Sequence, residues 1–236
     1  MSDIKFYYDL HIHSVLSPDG DELMTPNNIL NMAMLKNLDF VAITDHNSTK
    51  QLRTVEQIEN AYDFIFIPGI EVTVKEGFDV LCYFPSYEAA HDFDAVVETH
   101  LNQDDWGPFS AADQVLTDVY DVELETFPKS LRSTSLPYDE LYHQVHERGG
   151  IAILAHVERA SKSAMNHHRL EDLSFDGIEI QAYRKTEFLN EHPELREYKI
   201  LTNSDSHSLL TILEREQSLD LSEKSIDAFF AHFQRE

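Results

Sequence analysis

Short apolar runs recur along this chain, and most of them end in histidine or carboxylate. Phe6-Tyr7-Tyr8 leads into Asp9-Leu10-His11-Ile12-His13, and Phe40-Val41-Ala42-Ile43 leads into Asp45-His46. Phe64-Ile65-Phe66-Ile67 crosses Pro68-Gly69-Ile70 to Glu71; Ile151-Ala152-Ile153-Leu154 ends near His156; Ile200-Leu201 precedes Asp205-Ser206-His207. These runs predict strands over 5–14, 39–45, 64–74, 78–84, 151–156, 177–181 and 199–205. Several are continuously apolar, as in parallel strands covered on both faces. Because a strand alternates its faces with period two, His11 and His13 share one face, and so do Asp205 and His207.

Between these runs the period changes to that of helices. Thr25 is a candidate N-cap with Pro26 in the first turn, and Ile29, Leu30, Ala33 and Met34 form the apolar stripe. Val55, Ile58 and Glu59 mark a short second helix. A third spans 87–101 with Ala90, Phe93, Val97 and Leu101 inward. A fourth spans 137–148 and is stopped by Gly149-Gly150. Ser222 is the expected cap of a last helix carrying Ile226, Phe229, Phe230 and Phe233. Residues 102–136 interrupt the alternation: Val115, Thr117 and Val119, then Val122, Leu124 and Thr126, alternate around a polar turn, as in a β-hairpin. Such an excursion serves as a lid or substrate loop, or as a solvated insertion or dimer contact. The whole pattern predicts one α/β domain over 1–236, a barrel of about seven strands with an insertion near 102–136. In such barrels the site lies at the C-terminal strand ends, where the polar clusters fall.

Composition narrows the partners. With 18 Lys and Arg against 43 Asp and Glu, the formal net charge is −25. That surface repels polyphosphate, so long nucleic acid is not expected as a partner, whereas a small phosphorylated substrate is compatible with a metal-dominated site. The single cysteine, Cys82, lies in the apolar run Val80-Leu81-Cys82-Tyr83-Phe84 and is read as a buried, inert thiol. No apolar stretch reaches membrane-spanning length and the first strand begins near the N-terminus, so a cytoplasmic protein is expected. Composition is silent on oligomeric state.

The combination of motifs resembles the polymerase-and-histidinol-phosphatase (PHP) family over most of the chain. Asp9-Leu10-His11-Ile12-His13-Ser14 is similar to its first motif, Ile43-Thr44-Asp45-His46-Asn47 to its second and Pro68-Gly69-Ile70-Glu71-Val72 to its third. Ala155-His156 and Ser204-Asp205-Ser206-His207 are similar to the last two. The resemblance implies a distorted seven-stranded (β/α) barrel, two or three divalent ions (Mn, Fe or Zn) and phosphoester hydrolysis. It further implies that His11, His13, Glu71 and Asp205 hold one ion, that Glu71 bridges to a second held also by His156, and that His46 and His207 hold a third. Asp19, in Ser17-Pro18-Asp19-Gly20, matches a further ligand position and is read as a ligand in preference to a turn aspartate. Asp79 stands where the family usually has histidine. A carboxylate there favours Mn or Fe over Zn, or signals a weak second ion.

Asp9 and Asp45 precede ligands and are read as groups that orient a histidine ring or a bound water, with Asp45 counted beside Glu71 and Arg159 in the catalytic set. Arg159 and Arg184 follow strand ends where they could clamp phosphate, with Lys162 a weaker candidate. The expected activity is hydrolysis of a small phosphomonoester, such as a nucleotide, a sugar phosphate or histidinol phosphate, by metal-activated water attacking in line. The alternatives are nuclease-like hydrolysis of short oligonucleotides, a non-catalytic metal-stabilised scaffold, and cleavage of another bond such as an amide.

Overall fold

The computed structural model describes residues 4–102 and 114–233. Two sheets and a hairpin make up its β structure. In the first sheet β1 (Ile4–Asp9) lies between β11 (Ser218–Leu221) and β2 (Phe40–Val41), with β3 (Ile65–Phe66) outside β2. β1, β2 and β3 run parallel, and β11 pairs antiparallel to β1 through Ile4–Leu221 and Phe6–Leu219. The second sheet has the order β10 (Ile200–Leu201), β9 (Gly177–Glu179), β8 (Ile151–Leu154), β5 (Asp79–Tyr83) and β4 (Gly69–Thr73). Its β5 runs antiparallel to both neighbours. β6 (Val115–Thr117) and β7 (Glu123–Thr126) form the hairpin expected of the insertion.

The mixed α/β class is as expected, but the ladders do not close into a ring. Instead, isolated parallel bridges link the two sheets at Ile12–Ser206 and at His46–Glu71. The strands are also shorter than their apolar runs. The expected 64–74 strand breaks at Ile67-Pro68, since proline cannot donate to a ladder, and gives β3 and β4. Polar side chains take over the backbone partners beyond the short ladders: Leu10 N–H donates to Asn203 Oδ1 at 3.0 Å, and Thr73 N–H to Asn47 Oδ1 at 2.9 Å.

Helices α1 (Pro26–Leu35), α2 (Leu52–Ile58), α3 (Tyr87–Thr99), α4 (Tyr138–Glu147) and α6 (Ile226–Phe233) lie close to their predicted places, whereas α5 (Lys185–Glu191) is a helix that the sequence pattern did not single out. Thr25 caps α1 by accepting from Asn28 N–H, and Gly149 takes the left-handed turn (φ 70°) just past α4. The start of α6 differs from expectation, for Ser225 rather than Ser222 accepts from a first-turn amide, that of Ala228. Residues 218–221, which precede it, form β11, a strand that the sequence pattern did not single out.

The buried apolar residues separate into two clusters. The inner one joins Tyr8, Leu10, Phe40, Ala42, Ile67, Leu81, Tyr83, Ile153 and Leu201 to Phe229, Phe230 and Phe233 of α6. The outer one lies between the sheets and the remaining helices and includes Cys82, whose thiol is buried as expected. Asp79, Leu81 and Tyr83 share one face of β5, so the strand that places Leu81 in the inner core also aims Asp79 inward. Glu71 and Glu179 keep the same two-residue phase from Gly69 in β4 and Gly177 in β9, where an added Cβ would meet Tyr83 and Ile153 of that core. Three carboxylates thus continue the inner apolar faces at their polar end.

Candidate metal centre

The bridges that join the sheets also assemble the site. Glu71 N–H donates to Asp45 C=O at 3.2 Å and Asn47 N–H to Glu71 C=O at 2.7 Å, which holds the second motif beside the third. His13 N–H donates to Ser206 C=O at 2.8 Å and Ser206 N–H to His11 C=O at 3.1 Å, which holds the first beside the last. Val157 N–H reaches Glu179 C=O at 3.0 Å. Backbone strain is concentrated here. Among described residues other than glycine, positive φ occurs at Asn47 (53°), His156 (30°), Lys162 (58°) and Asp205 (54°), all in or beside the cluster, and otherwise at Asn37 and Asp121.

Three groups of side-chain donors result: His11, His13 and Asp205; Glu71, Asp79 and His156; His13, His46 and His207. The first is the tightest. His11 Nε2 lies 3.0 Å from His13 Nε2, 3.4 Å from Glu71 Oε1 and 3.3 Å from Asp205 Oδ1. His13 Nε2 lies 3.4 Å from Glu71 Oε2 and 3.2 Å from Asp205 Oδ1.

The ring protons can be assigned from their partners. His11 Nδ1 faces Glu179 Oε1 at 2.9 Å, so the proton sits on Nδ1. Ser17 Oγ donates to Asp45 Oδ1 at 2.9 Å and therefore accepts from His13 Nδ1, also at 2.9 Å. In the metal-free chain one proton is shared between the two Nε2 atoms at 3.0 Å; with a metal bound, both would present lone pairs beside the two carboxylates, all buried. Donors around a divalent ion at about 2.1 Å are spaced about 3.0–3.4 Å apart, which is the spacing found here. His46 Nδ1 and Glu71 Oε2 add to the case: they are 2.8 Å apart, yet both are buried without a hydrogen bond. The donor set fits divalent metal.

Burial opposes charge on His11, but Glu179, Asp205 and Glu71 outweigh it and raise its pKa well above the ordinary value, so an ion at its Nε2 would displace a proton. Burial and the neighbouring His207 and His46 push the His13 pKa down to about 3, so the ring is neutral and free to ligate. Burial acts against ionised Glu71, but His11 and His46 overcome it and hold the carboxyl well below its ordinary range. Asp205 is likewise held low, with His11 and His13 outweighing burial.

The expected ligands His11, His13, His46, Glu71, Asp79, His156, Asp205 and His207 are thus all brought together. Asp19 is half-exposed and stands 3.2 Å from His207 Nε2 and 3.6 Å from His46 Nε2. Its turn requires Gly20, because a Cβ there would meet Ser14 O at 2.1 Å. Asp79 Oδ2 lies 3.5 Å from His156 Nε2 and 3.4 Å from Lys162 Nζ, and its Oδ1 accepts from Thr73 Oγ1 at 2.5 Å.

The remaining candidates are placed differently. Asp45 spends both oxygens on Ser14 and Ser17 and reaches the cluster only through Ser17. Asp9 binds Ser204 and Leu213 N–H, fixing the last motif rather than a histidine ring. Arg159 pairs directly with Asp205. Arg184 pairs instead with Glu187, 3.7 Å away along α5.

The sequence reading missed Glu179, which binds His11 Nδ1, His156 N–H and Asn203 Nδ2. The available signal was a lone carboxylate inside Ile178-Glu179-Ile180. Ser17 and Arg132 were missed as well. Arg132 comes from the insertion, which packs over the strand ends: Asn47 Nδ2 donates to Leu131 C=O and Thr134 Oγ1 to Thr73 C=O, both at 2.8 Å. It lines a cleft of about 330 Å³ with Asp19, His46, Thr73, Ser133 and Lys162.

No family model matches this chain. An uncharacterized protein of Methanocaldococcus jannaschii is 26% identical over 191 residues, covering 77% of this chain and 85% of that protein. The lesion-specific endonuclease Q of Pyrococcus furiosus superposes with a TM-score of 0.69 at 19% identity over 96% of this chain. A complex of endonuclease Q with a 27-mer duplex carrying an abasic lesion gives 0.71 at 18% identity over 98% of this chain. This chain spans only about half of those proteins, 55% and 56% of their lengths. A two-domain protein of Bacteroides vulgatus containing a predicted PHP-like metal-dependent phosphoesterase gives 0.56 at 16% identity, covering 98% of this chain and 62% of that one. In fold, the chain is of the PHP type.

The same comparison corrects the exclusion of long nucleic acid. A protein of this fold is bound to a 27-mer duplex, so a long nucleic acid is not excluded as a partner of the fold. The field of distant surface carboxylates is screened within about 10 Å, whereas Arg132, Arg159 and Lys162 stand beside the cluster.

Proposed function

We propose that this chain is a metal-dependent phosphoesterase acting on a small phosphomonoester, with its ions held at the ends of the distorted barrel that the two bridged sheets outline. The observation that carries the reading is the convergence of His11 Nε2, His13 Nε2, Glu71 and Asp205 at 3.0–3.4 Å with both Nδ1 protons committed elsewhere. His11, His13, Glu71 and Asp205 would hold one ion, Glu71 with Asp79 and His156 would hold a second, and His46, His207 and Asp19 would hold a third. Bound divalent ions supply Lewis acidity and lower the pKa of coordinated water.

The chain's own residues do the rest. Glu179 and Ser17 fix the histidine tautomers, and Asp45 orients Ser17. Arg159, Lys162 and Arg132 supply positive charge for the equatorial phosphate oxygens. The cleft of about 330 Å³ is at the low end of small-molecule pockets and suits a sugar phosphate or a mononucleotide.

A nuclease activity is the second reading, favoured by the likeness to endonuclease Q. Phosphate release from a metabolite panel, run beside cleavage of an oligonucleotide and of an abasic duplex, separates the two. Manganese-loaded protein should release phosphate, and Glu71→Gln should lower turnover by at least about a hundredfold with the fold intact. Near-wild-type turnover of that variant, with unchanged metal content, would remove Glu71 from the centre.

A further inference from the structure

The loop that follows β8 carries His156, Arg159 and Lys162 at three-residue intervals. Each reaches a different carboxylate of the centre: His156 meets Glu71, Arg159 meets Asp205 and Lys162 meets Asp79. Lys162 is held in two ways. Its carbonyl accepts Asp79 N–H at 3.0 Å, while its ammonium stands 3.4 Å from Asp79 Oδ2 and 3.3 Å from Thr73 Oγ1. Lys162 also holds the left-handed conformation (φ 58°), one that a lysine adopts only at a cost. Strand β5 and the loop are therefore clasped so that this side chain meets this carboxylate.

The same Asp79 oxygen faces His156 Nε2 at 3.5 Å, inside the donor group of Glu71, Asp79 and His156. A divalent ion in that group and the Lys162 ammonium would stand within a few ångströms of each other on one carboxylate oxygen. Their repulsion sets one cation against the other. The other two donor groups have no lysine: the first has Arg159 on the outer oxygen of Asp205, away from the Oδ1 that faces the histidines, and the third has imidazoles and Asp19.

We propose that the Lys162 ammonium is the resident counter-cation of the Glu71–Asp79–His156 group, so that this group takes a divalent ion more weakly than the other two and gains it as Lys162 swings from Asp79 into the cleft to bind the substrate's phosphate. Lys162 has room for that movement because it already lines the cleft with Arg132 and Ser133. The last step rests on the phosphoesterase reading; the counter-cation role does not.

The test is titration of chelator-stripped chain with Mn²⁺ by calorimetry, with elemental counting after gel filtration. Wild type should show one class of site weaker than the rest. Lys162→Met should tighten that class by about tenfold or more, the order by which neighbours of a metal ligand shift affinity, and leave the others unchanged. Lys162→Arg, which keeps the charge, should behave as wild type. If Lys162→Met does not fold, Lys162→Gln replaces it. An unchanged or weakened class in the charge-neutral variant overturns the proposal. Inorganic phosphate is the second probe: the Mn-loaded neutral variant should bind it at least several-fold more weakly than wild type. Equal phosphate binding overturns the swing alone. Absence of any hydrolysis would overturn the phosphoesterase reading and leave the metal titration standing.

Discussion

Glu179 shows how much a single buried carboxylate can decide. It accepts from His11 Nδ1 at 2.9 Å, and by doing so turns the other ring nitrogen into a donor for metal. Burial raises its pKa, but in the metal-free chain the charge of protonated His11 and the hydrogen bond between them outweigh that and keep it ionised. Glu179→Gln should therefore weaken metal affinity by about 10–100-fold while leaving all the proposed ligands in place. Competition with a chromophoric chelator measures this, and an affinity within about twofold of wild type would show that His11 keeps its tautomer without help. The proposed ligands His11, His13, His46, Glu71, His156, Asp205 and His207 were legible as candidates in the sequence because each follows an apolar run and matches a motif. Glu179 was not, since its partner lies 168 positions away and a lone acid between two isoleucines has no local pattern. Ser17 escaped for a related reason, as its role depends on Asp45 and His13 meeting across two strands. Arg184 was chosen for its distance past a strand end, and chain distance says nothing about the direction a side chain takes after a helix begins.

At the scale of elements, the insertion is fastened to the rest of the chain by charge as well as by backbone. Glu98 of α3 receives Lys129 Nζ from the insertion at 2.7 Å and Lys50 Nζ from the segment after β2 at 2.8 Å. Hydrogen bonds from Lys129 and Lys50 hold its pKa down at about 2 against an ordinary value of 4.5. A depressed carboxylate stabilises the fold above its unfolded pKa, and the contribution is lost as pH falls through the folded one. Here the window runs from about pH 4.5 down to about 2. Glu98 is about one-third exposed, so screening limits the effect. Glu98→Gln should lower stability by up to about 1 kcal/mol at pH 7, with the gap to wild type shrinking as pH falls below 4.5. Melting temperatures of both proteins from pH 7 to pH 3 check this, and a constant gap would assign the loss to packing. The hairpin was legible from its two-residue alternation around a polar turn. The way the segment after β7 walls the cleft was not, because Asn47–Leu131 and Thr73–Thr134 are contacts between segments with no shared motif.

For the whole molecule, the site is also where the fold is completed. The two sheets meet through isolated bridges at Ile12–Ser206 and His46–Glu71, so few ladder bonds cross between them at this end. The proposed ligands come from segments spread between His11 and His207, and four buried carboxylates, Glu71, Asp79, Glu179 and Asp205, converge there. Net charge, the most conspicuous number in the composition, says little about this arrangement, because the site's field is set by groups a few ångströms apart. A divalent ion bound only by the folded chain stabilises it by mass action, about 4 kcal/mol at a thousandfold excess over the dissociation constant. In a domain of this size each kcal/mol moves the midpoint by about 2–4 °C. Stripping metal with a chelator should therefore lower the melting temperature by about 8–15 °C, and added Mn²⁺ should restore it in a concentration-dependent way. His11→Ala should show neither the loss nor the recovery in full, since it removes a ligand from the tightest donor group. A melting temperature indifferent to chelator and to added metal would mean that the bridges and the inner phenylalanine core hold the two sheets together unaided, and that the convergent histidines are not where this fold draws its stability.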